Sequence, residues 1–119
     1  MKFALLIYEK EAKGPPNMAT FARIGAAYGK YTEGIIKSGN FVAGEGVTSS
    51  ATALTVKVRG GKAATTKGPA DKKRPAQLTG YYIVEAKDAA HAAKLAAGIP
   101  GAKTGSIEIR GVISPPPLA

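Results

Sequence analysis

The sequence predicts a single α+β domain built on a ferredoxin-like, split βαβ sheet. Two observations carry that prediction. The apolar pattern switches period along the chain, giving the order strand, helix, strand, hairpin, strand, helix, strand. The chain has 119 residues, enough for one buried core, and 45% of them are hydrophobic, as a folded domain requires.

Residues 2–8 read as the first strand, apolar on both faces. Glu9-Lys10-Glu11 follows that short apolar run where a signal peptide would carry a small-residue cleavage site, so a strand in a cytoplasmic protein is expected. Glu9 to Pro16 reads as a polar loop closed by Gly14-Pro15-Pro16, and Asn17 as the N-cap of a helix. In that helix Phe21, Ile24, Tyr28, Tyr31 and Ile35 trace one stripe, and packing of Tyr28 and Tyr31 on the sheet is expected. Gly39-Asn40 supplies the left-handed stop.

Phe41-Val42-Ala43 opens a short strand running into Gly44-Glu45-Gly46. After Ser49-Ser50, the apolar Leu54, Val56 and Val58 alternate with Thr55, Lys57 and Arg59, which predicts a strand with one wet face. Gly60-Gly61 is a two-residue hairpin signal, with the returning arm at 63–66. Both prolines in 68–75 exclude a central strand there. Residues 77–85 form the next strand, Asp88 caps a helix over 89–97 anchored by Leu95, and Gly98 and Pro100 end it. Ile107 and Ile109 mark the last strand, reaching toward Val112, before a Pro-rich tail over 113–119. Both helices then lie on one face of an antiparallel sheet. A second copy of the chain is expected to cover the other, as a homodimer or higher homo-oligomer.

Composition narrows the chemistry. Without cysteine there are no disulfides, no thiolate nucleophile and no cysteine-ligated zinc. One histidine, His91, and scattered acids give no metal site, and Gly44-Glu45-Gly46 lacks the third glycine of a dinucleotide fingerprint, so no cofactor is expected. His91 reads as an exposed or capping side chain. No apolar stretch is long enough to span a bilayer, so no membrane partner is expected. Within residues 57–74, Lys57, Arg59, Lys62, Lys67, Lys72, Lys73 and Arg74 face only Asp71, so +6 of the net +9 charge sits there. The segment has no aromatic residue, which limits nucleic acid to weak, non-specific attraction. Glu45 is the candidate catalytic carboxylate, because flanking glycines let the backbone approach a ligand and a buried Glu can serve as a base.

Several segments together resemble the YCII-related family in its DGPF subgroup. They are residues 1–8, Phe41-Val42-Ala43-Gly44-Glu45-Gly46-Val47, Ser50-Ala51-Thr52, Thr55 to Arg59, Gln77 to Glu85, Ala96 to Pro100 and Gly105 to Arg110. The resemblance spans about residues 1–112 and implies a dimeric α/β barrel with two ferredoxin-like sheets facing each other. Where the subgroup carries Asp-Gly-Pro-Phe, this chain has Lys67-Gly68-Pro69-Ala70, and the stretch after it is one residue longer. The signature acid is thus replaced by a base. Lys67 is the candidate for holding an anionic ligand beside the Gly68-Pro69 turn, with Gln77 at the far end of the same loop.

The functional expectation is a homo-oligomeric domain serving as a non-catalytic assembly or scaffold subunit. The alternative is a small-molecule binder or enzyme with a cleft near Glu45 and the 67–77 loop. No residue pattern specifies a substrate or a reaction.

Overall fold

Chain order in the computed structural model, which describes residues 1–11 and 17–114, is β1 (Lys2–Glu9), α1 (Met18–Lys37), β2 (Phe41–Gly46), β3 (Leu54–Arg59), β4 (Lys62–Lys67), β5 (Gln77–Glu85), α2 (Ala89–Ala97) and β6 (Ser106–Gly111). The expected Gly14-Pro15-Pro16 loop closure and the Pro115 to Pro117 tail lie outside the described residues. Four strands form one sheet in the order β2-β5-β1-β6, with every neighbouring pair antiparallel. Setting the β3–β4 hairpin aside, this is the ferredoxin-like order that the alternation of strands and helices predicts.

Local signals set the element ends. Asn17 caps α1, its side-chain oxygen accepting from the Thr20 amide at 3.1 Å. At the other end Gly39 has φ +81°, its amide bonds the Ile36 carbonyl, and the Asn40 amide bonds the Ile35 carbonyl. Those paired bonds close the helix in a Schellman motif. Asp88 caps α2 through the His91 amide at 2.8 Å, and His91 Nδ1 accepts from the Lys87 amide at 3.0 Å. The single histidine is thus a capping residue. Gly60 and Gly61 both have positive φ, as a type I′ turn demands.

The core lies between the sheet and the two helices. Phe3, Leu5 and Ile7 of β1 and Tyr82 and Val84 of β5 point to the same side, where Ile35 of α1 and Ala92 and Ala96 of α2 meet them. Leu5 is fully buried, and burying such a side chain contributes roughly 1.5–3 kcal/mol. Leu95, the expected anchor of α2, is only partly buried; the small Ala92 and Ala96 faces let the helix lie close to the sheet instead. Gly98 ends α2 with φ −83°, so its role is not left-handed backbone. A Cβ there would stand 3.0 Å from the Tyr31 ring, and the glycine makes room for α1.

The β3–β4 hairpin is a separate two-stranded sheet. The expectation of one wet face and one buried face does not hold for it. Leu54, Val56 and Val58 are 66%, 60% and 57% exposed, because among the described residues no other element lies over them. The radius of gyration is 16.4 Å, against about 13.5 Å for a compact chain of this length, as a projecting arm requires.

Candidate functional site

The apolar stripe of α1 is longer than the sheet beneath it can cover. Its C-terminal half, Tyr28, Tyr31 and Ile35, packs on the core, while Phe21 and Ile24 stay 66% and 49% exposed. Between that overhanging half and the sheet opens a cleft of about 480 Å³. Phe21, Ile24, Tyr28 and Thr32 form its helical wall, Ile7 and Glu9 its floor, and residues 44–46 and 79–82 its far side. A concave, mostly apolar space with a few convergent polar groups has the character of a ligand site.

The polar residues that line it include Glu9, Tyr28, Thr32, Thr79 and Tyr82. Tyr28 is held from two sides: its hydroxyl accepts from the Gly101 amide at 3.1 Å and donates to Glu9 Oε1 at 3.3 Å. Burial, reinforced by the negative charge of Glu9, pushes the Tyr28 phenol up to about 12. It therefore remains a neutral donor through the physiological range. Thr32 Oγ1 donates its one hydrogen to the Tyr28 carbonyl at 2.8 Å, so the 2.6 Å contact between Thr32 and Tyr82 has the tyrosine hydroxyl as donor. Tyr82 is wedged edge-on against Tyr31 and Phe41, with ring centroids 5.3 and 6.4 Å away.

Two glycines make the geometry possible. A Cβ on Gly101 would run into the Glu9 carboxylate and stand 2.7 Å from the Tyr28 hydroxyl. A Cβ on Gly44 would lie 2.6 Å from the Tyr82 ring. Gly44, just before Glu45, thus admits a tyrosine ring from the neighbouring strand.

Glu45 is opposite Tyr81 in the β2–β5 register and is exposed. Because Gly44 faces the core beside Tyr82, strand alternation turns the Glu45 side chain to the sheet face without helices. Glu45 borders the cleft from the strand wall, and Glu9 is the carboxylate that meets Tyr28 there.

The loop candidates gather elsewhere. Lys67 is the exposed last residue of β4, opposite Leu54. Gly68, at φ +109°, closes the hairpin base: its amide bonds the Ala53 carbonyl at 2.8 Å, and its carbonyl accepts from Thr55 Oγ1 at 2.8 Å. Pro69 follows half-buried, and Gln77 Nε2 ties the loop by donating to the carbonyls of Asp71 and Arg74. None of these four residues lines the cleft.

Sequence reasoning placed Glu9 in a loop, whereas it ends β1 inside the cleft; the expected packing of Tyr28 holds, and its hydroxyl reaches that carboxylate. The available signal was the stripe itself, since Phe21 and Ile24 extend it a full turn beyond Tyr28 toward the helix start. Glu11, two residues past the end of β1, is bound by the Ser50 amide at 2.8 Å and by the Ser50 hydroxyl, and these bonds lower its pKa. They fasten the outgoing chain to the 3-10 turn Ser50–Thr52.

Among the described residues no cluster of three His, Cys, Asp or Glu side chains is present, and no helix is long and apolar enough to cross a membrane. No curated protein matches the chain. The family model described as the YCII-related domain matches residues 1–115, nearly the whole length and every element of the sheet. With a ferredoxin-like fold and a match of that extent, the chain belongs to the YCII-related domain family.

Proposed function

We propose that the chain is a small-molecule-binding domain that works as a homodimer. The observation that carries the binding reading is the Glu9–Tyr28 pair inside an otherwise apolar cleft. A few polar groups converging in an apolar concavity are what fixes a ligand's orientation, and this pair supplies a carboxylate and a phenol there. The homodimer reading is supported by the helix-free face of the sheet, where Ala4, Leu6, Tyr81 and Ile83 are only half-buried. Two such faces apposed would make the dimeric α/β barrel that the DGPF-subgroup resemblance implies.

In that dimer Glu45 would lie within the apposed faces, and a proton-transfer role for it is the enzymatic form of the proposal. Lys67, at the hairpin base with Gly68 and Pro69, would contact an anion apart from the cleft, and Gln77 would hold the loop. The test is paired. Light scattering at micromolar concentration should give at least twice 12.2 kDa. A thermal-shift screen of small molecules should give stabilising hits that Gly44→Ala removes by moving Tyr82 into the cleft. A clean monomer sinks the dimer, and hits that survive Gly44→Ala sink the cleft as the site.

The scaffold reading draws on the exposed face of Leu54, Val56 and Val58. Its signature would be association that polar substitutions on that face abolish while the helix-free sheet face stays exchangeable. Weak nucleic-acid attraction to the basic segment is the least favoured reading. It should disappear steeply with salt and show no sequence preference.

A further inference from the structure

We infer that the ligand class of the cleft is a small apolar amine, held by its cationic head on Glu9. The inference rests on the cleft being a binding site and adds what that site selects.

Its first support is charge placement. The chain carries 17 Lys and Arg, and none of those among the described residues lines the cleft. The acids that line it are Glu9 and Glu45, and strand alternation turns the Glu45 side chain away from the helical face. A carboxylate set among Ile7, Ile24, Phe21 and the tyrosine rings attracts a cation more strongly than one in water, since the surroundings screen it less. An anionic ligand would carry the same sign of charge as that carboxylate and be repelled by it.

The second support is the hydrogen-bond arithmetic. Tyr28 accepts from the Gly101 amide, so its proton goes to Glu9 Oε1. Glu9 Oε2 makes no hydrogen bond or ion pair with another described residue. The chemistry that completes it is a donor, and a charged donor gives the stronger bond. Tyr82 cannot supply that donor, because its proton is committed to Thr32.

The third is shape and wall chemistry. Phe21 and Ile24 hang over the mouth, and the facing strand segments carry Gly44, Gly46 and Gly80. A Cβ on Gly80 would stand 2.9 Å from the Glu45 carbonyl, so the two strands close tightly behind the ligand space. A flat apolar body with a short arm ending in ammonium fits between such a wall and the aromatic faces.

The experiment titrates the full chain with three probes of one shape: benzylamine, benzyl alcohol and benzoate. The backbone amide signals of Gly44, Gly46, Gly80 and Gly101 are followed by NMR. Benzylamine is expected to bind at least tenfold tighter than benzyl alcohol, with no saturable shift from benzoate. Glu9→Gln should reduce the amine to the affinity of the alcohol while the alcohol is unaffected. Should that variant misfold, the wild-type chain still decides: raising salt should weaken the amine and leave the alcohol unchanged. Alcohol binding as tight as the amine, or saturable benzoate binding at these glycines, overturns the amine assignment and leaves the cleft a binding site. If none of the three probes moves these glycines, the cleft reading fails with it.

Discussion

Tyr28 and Glu9 meet across the gap between helix and sheet, hydroxyl to carboxylate at 3.3 Å, and each is positioned by a different part of the chain. Glu9 ends β1, Tyr28 sits midway along α1, and the Gly101 amide locks the phenol from a third side. The pair reports directly on whether α1 is seated.

Alkaline titration reads that seating. Burial raises both Tyr28 and Tyr31 from 10.0 to about 12. Between those values the unfolded chain has lost phenol protons that the folded chain keeps, so the unfolded state binds fewer protons and stability falls as pH rises. The stabilising effect is complete below pH 10 and is lost on the way to 12. Melting temperatures across that window should fall less steeply for Tyr28→Phe and Tyr31→Phe than for the wild type. Equal slopes would place both phenols in water.

Acid reads a different fastening. Hydrogen bonds from the Ser50 hydroxyl and amide lower the pKa of Glu11 below 4.5. The stability they give is present above 4.5 and is lost as pH falls through the lowered folded value. Ser50→Ala should reduce the melting temperature at pH 7 and flatten its decline in acid. A parallel shift at every pH would show that Ser50 acts by packing alone.

Space at Gly101 can be filled and measured. Gly101→Ala directs a methyl into Glu9, Tyr28 and Ile7, so a loss of about 1–3 kcal/mol is expected in chemical unfolding. Gly39→Ala meets nothing within 4 Å but must hold φ +81°, at about 1–2 kcal/mol. Only the first should also alter the tyrosine titration. That difference separates collision from backbone strain.

Core and arm should respond very unequally to substitution. Leu5→Ala is expected to cost about 2–5 kcal/mol, because Leu5 is fully enclosed. Val56→Thr, on the exposed hairpin face, should change stability by less than about 0.5 kcal/mol. A large loss at Val56 would mean that something covers the arm in solution.

The features legible in the sequence are those set by near neighbours. Asn17, Gly39, Gly60, Gly61 and Asp88 act within one turn of themselves, and all five do in the fold what their type and position predict. The alternation of Ile107 and Ile109 likewise suffices to place β6. What could not be read depends on residues far along the chain. Whether Val56 is covered depends on what lies above it, and its alternation is the same either way. Gly98 is small because of Tyr31 and Gly44 because of Tyr82, pairings that exist only after folding. Glu9 was hidden for the same reason, since its partner is 19 residues away on another element.

The hairpin base has a practical reading. Ala53 and Gly68 are already joined by a 2.8 Å backbone hydrogen bond, so the chain leaves the main body and returns to it at one point. Residues 54–67 between them could be excised and bridged by a two-residue linker with the four-stranded sheet and its cleft intact. The same junction would accept a grafted sequence of almost any length, because lengthening a loop whose ends stay together adds only about 0.6 kcal/mol per doubling. The arm is a cassette, and the domain beneath it can be assayed with the arm removed.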